Sequence, residues 1–471
     1  MGVPGPLRDP YTPPAFGPPV LEDTEAVPYY DLFQVYIESV YMEDDMYLIR
    51  YLPIKHQSGI WYLYSEGVYK TISQPIVDKL YFDAMAIYNK KTSTTQLNFC
   101  VTKLKTWVVM VWEEWDDHNP DWENCLDGMI HLPTRKLHPH SPKFMFKKQT
   151  PRHFFPDCVL IPPLFEKATH AITSALHREN YLKFFLAVVH KKYEWGKFLI
   201  LFGKTGSGKS TLLQIHPEMY GRENTSKTDL WDLGRRFGLD HMHDKRVNTV
   251  LDMPVVEINP YVIGKVKTLT GEDGDISVEI KGGTKFMYPI QCFLEFGIQE
   301  VVDFTEEARR EIDSWFKRVV MGECTEIFPE DSDFKKAIRD PDFLDELYSW
   351  AINTSPMRFY DPGEEEAWIE RNKTEWLTKC DPVLRILKER YVYTPTTEEI
   401  DPDGIKIKNE HKLLVNDVYE YVLGTLENEG QLPPKQLKNN ITKTLLTMRI
   451  RRDDRRSEGG SYKNIVRRAE P

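Results

Sequence analysis

Residues 198–215 constrain the fold of this chain more than any others. Phe198-Leu199-Ile200-Leu201-Phe202 is a short apolar run of the kind that fills a buried parallel strand. It leads directly into Gly203-Lys204-Thr205-Gly206-Ser207-Gly208-Lys209-Ser210, a complete G-x-x-x-x-G-K-[ST] sequence, and Ser210-Thr211-Leu212-Leu213-Gln214-Ile215 is able to open a helix. Strand, glycine loop and helix in that order are the context in which this sequence works as a phosphate cradle. The glycines let backbone N–H groups surround phosphate oxygens, and the helix N-terminus adds partial positive charge. An α/β fold with a bound nucleoside triphosphate is expected, Gly203 to Thr211 being the contacts. Lys209 would reach the β- and γ-phosphates, and the Ser210 hydroxyl would help hold Mg²⁺.

At 471 residues the chain has length for two to four domains. A net charge of −11 argues against blanket attraction to nucleic acid, so any polyanion site must be local. The six cysteines, Cys100, Cys125, Cys158, Cys292, Cys324 and Cys380, form no C-x-x-C pair. Such scatter points to a reducing compartment rather than to a disulfide framework or a zinc site. His131, His138 and His140 lack a carboxylate or cysteine at helical spacing and read as loop histidines. There is no apolar signal-type segment, and runs such as Trp107–Trp112 are too short to span a bilayer. An intracellular protein without a membrane partner is expected.

Composition divides the chain into blocks. Residues 1–28 hold eight prolines and read as a disordered tail. Residues 29–180 form an N-terminal α/β region, with a β-hairpin in Ile60–Tyr64 and Val68–Lys70 about Gly67. Residues 181–330 are the nucleotide-binding domain, 331–392 a helical extension and 393–411 a linker. In 412–471, Leu414, Val418, Val422 and Leu426 mark one helix face, Pro433–Thr447 a second helix, and Arg449–Arg452 with Tyr462–Val466 a β-hairpin. That order suggests a winged helix. From Gln431 onward, eleven Lys or Arg stand against four Asp or Glu, so the acidic chain ends in a basic module suited to DNA.

Hydrolysis needs more than a phosphate cradle. Val247–Asp252 is a strand-like run ending in an acid, which places Asp252 to hold Mg²⁺ through water. Met253 stands where a second acid is usual, which leaves Glu257 as the nearest group to polarise water. Cys292–Gln299 is the next strand candidate, ending in the amide of Gln299, and Lys317-Arg318 precede another strand. Between these elements, Ile276–Ile280 and Lys285–Tyr288 flank Lys281-Gly282-Gly283-Thr284, a tight hairpin with Lys281 and Lys285 near its tip.

This ordered set resembles the superfamily 3 helicases of viruses and plasmids, in particular the helicase half of phage, plasmid and poxvirus-type primase–helicases. Gly67-Val68-Tyr69, Asp127–Leu132, His138–Pro142, the glycine loop, Lys267–Gly271, Lys317-Arg318, the Trp350 segment and the terminal module fall in the family's order. The resemblance implies an AAA+-like P-loop core that assembles as a hexamer, with ATP and Mg²⁺ between subunits. It makes Arg318 a trans-acting arginine finger, with Lys317 the runner-up. Lys267 would belong to an additional motif, and Lys281 and Lys285 would track single-stranded DNA, while Arg449, Arg451 and Arg452 of the terminal module would meet duplex. Family members usually carry Asn where this chain has Gln299. The region before residue 180 is short for a primase, and Glu43-Asp44-Asp45 does not present the paired aspartates of a metal-dependent polymerase strand, so any primase or polymerase would be a separate chain. The expected activity is an ATP-dependent DNA helicase in replication of a virus or plasmid-like element, acting in the host cytoplasm or at the site of replication. The alternative is an ATP-switched initiator or loader.

Overall fold

The architecture comes from a computed structural model. It describes residues 37–79 with short breaks and a few positions between 93 and 115. It also describes 119–380 apart from 236–238, 240, 243–244, 255, 272–275, 280–284 and 289–290, and the secondary-structure elements between 381 and 467. The proline-rich tail lies outside the described residues, as do Asp44, Asp45, Lys281 and Arg449.

Three small antiparallel sheets open the chain. β1 (Ile37–Glu43) pairs with β2 (Met46–Tyr51), while β3 (Ile54–Gln57), β4 (Ile60–Ser65) and β5 (Val68–Ile72) form a meander. Ser65 pairs with Val68, and Glu66 and Gly67 between them have φ of 52° and 84°. Two left-handed residues are what a two-residue type I′ turn requires, so the expected hairpin is present. A second meander holds β6 (Trp122–Cys125), β7 (Gly128–His131) and β8 (Lys136–His138).

Residues that looked like separate motifs in the sequence meet between these meanders. Asn124 Nδ2 donates to the carbonyls of Gly67 and Lys148 at 3.0 and 2.9 Å. Tyr69 donates its hydroxyl proton to Pro142 O at 3.0 Å, and His140 Nε2 lies 2.8 Å from Cys125 O. The Gly-Val-Tyr hairpin and the His138–Pro142 stretch are two halves of one structural lock. Nothing in their geometry is catalytic.

Next come α1 (Pro163–Thr169) and α2 (Ala175–Val189), the latter capped by the Ser174 side chain. Then follow β9 (Phe198–Phe202), α3 (Lys209–Leu213), α4 (Ile215–Tyr220), β10 (Thr225–Ser226) and β11 (Val247–Val250). After α5 (Pro260–Leu269) the strands β12 (Ile276–Glu279) and β13 (Lys285–Tyr288) pair as the expected hairpin, whose tip lies outside the described residues. β14 (Phe293–Ile298), α6 (Ile312–Phe316) and β15 (Val319–Glu323) complete the core.

Five of these strands form one sheet in the order β10-β11-β14-β9-β15, with β10, β11 and β14 parallel. β9 and β14 are buried at every residue, as strands covered on both faces must be. From β9 the chain travels to the far edge at β10, whereas β15 arrives on the other side of β9. The switch in direction therefore falls beside β9, where open α/β sheets leave a crevice at the strands' C-terminal ends.

The helical stretch continues with α7 (Ser332–Ala337), α8 (Pro341–Asn353) and α9 (Glu365–Cys380). Asp331 and Asp340 cap the first two of these through their carboxylates. Trp350 on α8 packs against Phe165, with ring centroids 5.7 Å apart.

The last part departs from the expected blocks. β16 (Tyr391–Tyr393) is followed by β17 (Thr397–Ile400) and β18 (Lys406–Asn409), which pair antiparallel, so the stretch expected as a linker carries a hairpin. Thr and Ile on either side of Asp-Pro-Asp-Gly are the turn and strand chemistry that produces it. β19 (Lys412–Leu414), α10 (Val415–Asn428), α11 (Leu437–Thr447), β20 (Arg451–Asp453), β21 (Ser461–Lys463) and β22 (Ile465–Arg467) complete the chain. Val418, Val422 and Leu426 are fully buried on one face of α10, as their spacing implied, with Ile441 and Leu445 of α11, whereas Leu414, expected on the same face, ends β19 before the helix begins. The same cluster takes in Val383, Ile386, Leu387 and Tyr391, and β22 pairs with β16. Residues 383–393 are thus tied to the module expected at 412–471 by packing and by strand pairing.

The chain forms two compact units. One comprises Met1–Met253, Thr268–Gly297 and Val320–Phe359; the other comprises Pro254–Lys267, Ile298–Val319 and Tyr360–Pro471.

Candidate nucleotide site

The glycine loop is shaped by what stands behind it. β9 delivers Gly203 at φ 143°, and a Cβ there would lie 1.9 Å from Cys324 O. Cys324 follows β15 and donates its N–H to Phe202 O at 2.8 Å, so β9 and β15 end together at the loop. Only glycine fits so close a backbone approach in that conformation. Gly206 and Gly208 continue the loop at φ 83° and 87°, and Lys209 opens α3.

Lys209 folds back across this loop. Its Nζ donates to Gly203 O, to Lys204 O at 2.9 Å and to Ser207 Oγ at 3.4 Å. The side chain is only 6% exposed. Burial holds its pKa below the usual lysine value, against the opposing influence of Cys324 and of the Asp252 carboxylate. The ammonium is thus gripped by neutral oxygens, and a desolvated cation in that position is suited to a phosphate. Ser210 is exposed and Thr211 half-buried at the start of the helix.

Two strands end beside the loop. Asp252 lies two residues past β11 and is exposed, while Met253 is buried and donates its N–H to Gly297 O at 2.8 Å. On the other flank the chain after β15 is stitched down by Thr325 and Thr173, whose hydroxyls are 2.7 Å apart, and by Phe328 N–H donating to Gly206 O at 3.0 Å. This places the exposed side chains of Ile327 and Phe328 next to Gly206 and Gly208. Neither residue stood out in the sequence, because an apolar pair after a strand carries no motif.

Lys209, Ser210, Asp252 and the loop residues belong to the first unit; Glu257, Lys267, Gln299 and Arg318 belong to the second. There, Glu257 is exposed beside Ile258, which bridges to Phe304, and Gln299 is exposed one residue beyond β14. Lys267 is exposed in the last turn of α5. Arg318 follows α6, with Nη1 donating to Ser314 O at 2.8 Å. An aromatic platform fixes that corner: Trp368 and Trp376 donate from their indoles to Phe316 O and Val302 O at 3.2 and 2.9 Å. Lys317 pairs with Glu365 at 2.9 Å. Lys285 lies on β13, and Arg451 and Arg452 on β20.

Away from the loop, a buried ionic cluster went unnoticed in the sequence. Glu123 is held by Arg246 at 2.5 Å and by Lys191 at 3.3 Å, and accepts from Thr150 at 2.6 Å. Burial pushes the Glu123 pKa up, but the two cations and these hydrogen bonds outweigh it and hold it below the ordinary value.

Residues 43–202 match a protein family described as D5 N terminal like, and residues 201–310 match a family of unknown function, DUF5906. No curated protein matches. Among solved structures, the chain is similar to an A-form apo structure of the NrS-1 C-terminal region, at 14% identity over 71% of this chain and 74% of that one, with a TM-score of 0.43. A second A-form apo structure of that region is 11% identical over 88% of this chain and 95% of that one, with a TM-score of 0.45.

Proposed function

Starting from a relative of phage-type primase–helicases, we propose that this chain is an ATP-dependent DNA helicase of the superfamily 3 type. The observation that carries the reading is the closed glycine loop at the sheet's switch point, with Lys209 desolvated against its carbonyls. The residues present fit ATP and Mg²⁺. The close approach behind Gly203 leaves the loop as bare backbone, Ser210 and Asp252 are both exposed, and the Asp252 carboxylate is near enough to act on the Lys209 charge. Lys209 and the N–H groups of Gly206 to Thr211 would hold the β- and γ-phosphates. Ser210 would hold Mg²⁺ directly and Asp252 through water, the ion supplying neutralisation of phosphate charge when bound.

Arg318, which directly precedes β15, is assigned the role of an arginine finger acting in trans, as the family resemblance implies. Arg318 is suited to the site of a neighbouring copy, which favours a ring, with hexamer the family's form. Lys267, Gln299 and Glu257 are assigned the additional-motif, sensor and water-polarising roles. Lys285, with Lys281, would follow one DNA strand, and the helix–helix–sheet module with Arg449, Arg451 and Arg452 would act as a winged helix on duplex.

A second reading, an ATP-switched initiator or loader, is favoured by one observation: Met253, where a second acid would polarise water, is buried. ATPase assays with and without single-stranded DNA, beside strand displacement on forked substrates, separate the two. DNA-stimulated turnover with displacement is the helicase outcome; ATP binding without turnover selects the switch.

A further inference from the structure

The chain after β15 forms an apolar ledge against the glycine loop. Ile327 and Phe328 are 66% and 42% exposed, yet the segment that carries them is fixed through hydrogen bonds. Thr173 N–H donates to Glu323 O at 2.9 Å, Thr325 N–H to Thr173 Oγ1 at 3.2 Å, and Phe328 N–H to Gly206 O at 3.0 Å. A Cβ at Gly206 would lie 3.4 Å from Ile327 Cγ2, and one at Gly208 would lie 3.9 Å from the Phe328 ring. The loop, Asp252 and both apolar residues belong to the first unit, so their placement is set within one body. Two large apolar side chains are therefore kept in water and in place, and it is the backbone, not their own burial, that keeps them there. A surface ordered in advance in this way loses little entropy when a flat apolar group settles on it.

The order of the sheet gives a bound nucleotide its direction. β9, which delivers the loop, lies between β14 and β15, and Asp252 follows β11 on the β14 side. The Asp252 carboxylate acts on the Lys209 charge, so a triphosphate seated in the loop has its metal-bearing γ end toward that flank. The nucleoside at the other end of the chain of phosphates then leaves toward β15, where Ile327 and Phe328 stand. The loop's N–H groups satisfy phosphate oxygens and offer nothing to the faces of a base. An aromatic ring does, and stacking on it accepts any base because each has a π-face.

We propose that Ile327 and Phe328 form the nucleobase subsite of the nucleotide site, with the Phe328 ring stacked on the base and Ile327 flanking it; this rests on the nucleotide reading of the glycine loop. The test is calorimetric titration of the full chain with ATP and with inorganic tripolyphosphate, each with Mg²⁺. Tripolyphosphate carries the phosphates without a base, so only ATP reports the subsite. Phe328→Ala keeps the N–H that bonds Gly206 and removes the ring. It should weaken ATP about tenfold and leave tripolyphosphate within about twofold. Phe328→Tyr, which restores a ring, should bring ATP affinity back. Circular dichroism checks folding; where Phe328→Ala fails to fold, Ile327→Ala, at the more exposed position, decides by the same comparison. Equal weakening of both ligands means that Phe328 only shapes the loop, and overturns the subsite. Unchanged ATP affinity overturns it too, and a simultaneous loss of self-association in sedimentation would assign the ledge to contact between copies instead. Failure of the unsubstituted chain to bind either ligand is a different result: it removes the nucleotide site itself, and the subsite with it.

Discussion

At the C-terminal ends of its strands the five-stranded sheet presents a loop of peptide groups around one lysine, and at the N-terminal ends it presents side chains around one glutamate. Both places concentrate positive charge. At the loop the charge rests on neutral carbonyls, with Asp252 in range but not paired. At the other end it is clamped by a buried carboxylate. A cation restrained by carbonyls is available to an incoming anion. A cation paired to a carboxylate holds the fold first and offers only what remains of its hydrogen-bonding capacity.

That contrast predicts opposite costs. Glu123→Ala leaves Arg246 and Lys191 buried without their acid and should lower stability by about 3–5 kcal/mol, read by denaturant unfolding; a loss under 1 kcal/mol would erase the distinction. Lys209→Ala should weaken ATP roughly 100-fold in a nucleotide titration while leaving the melting temperature nearly unchanged, since it removes a desolvated cation. Gly203→Ala sits between the two: its Cβ meets backbone, and it should cost both nucleotide binding and about 1–3 kcal/mol of stability. Acid sharpens the comparison further. Because the folded Glu123 pKa lies below its ordinary value, the stability it contributes is present above the ordinary carboxylate range and is lost as pH falls through the lower folded value. The stability difference between wild type and Glu123→Gln should therefore shrink in mildly to strongly acidic buffer, with no such trend for Lys209→Ala. The smallest effect concerns Arg318→Ala subunits mixed with wild type. ATPase activity should fall faster than the mutant fraction if Arg318 serves a neighbouring copy, whereas a linear decline would place its action within one chain.

The same contrast explains how much was readable beforehand. The loop was visible because eight consecutive residues carry it, and backbone chemistry leaves a local signature in glycine. β4–β5, the strands around Asp252 and Gln299, and the buried face of α10 were visible through periodicity for the same reason. The ionic cluster was not, since Glu123, Lys191 and Arg246 are scattered over 124 positions and only the fold collects them. That Val383, Ile386 and Leu387 share the core of α10 and α11 was hidden, because they look like the tail of a helical stretch until those helices cover them.

The pairing of β16 with β22 fastens residues 391–393 to residues 465–467. A structure whose entry and exit lie side by side can be transplanted as a cassette, because its host needs to supply only one attachment point. Excision at residue 412 would tear that clasp and strip Tyr391 of its apolar neighbours, whereas excision near 381 would keep the pairing and the cluster.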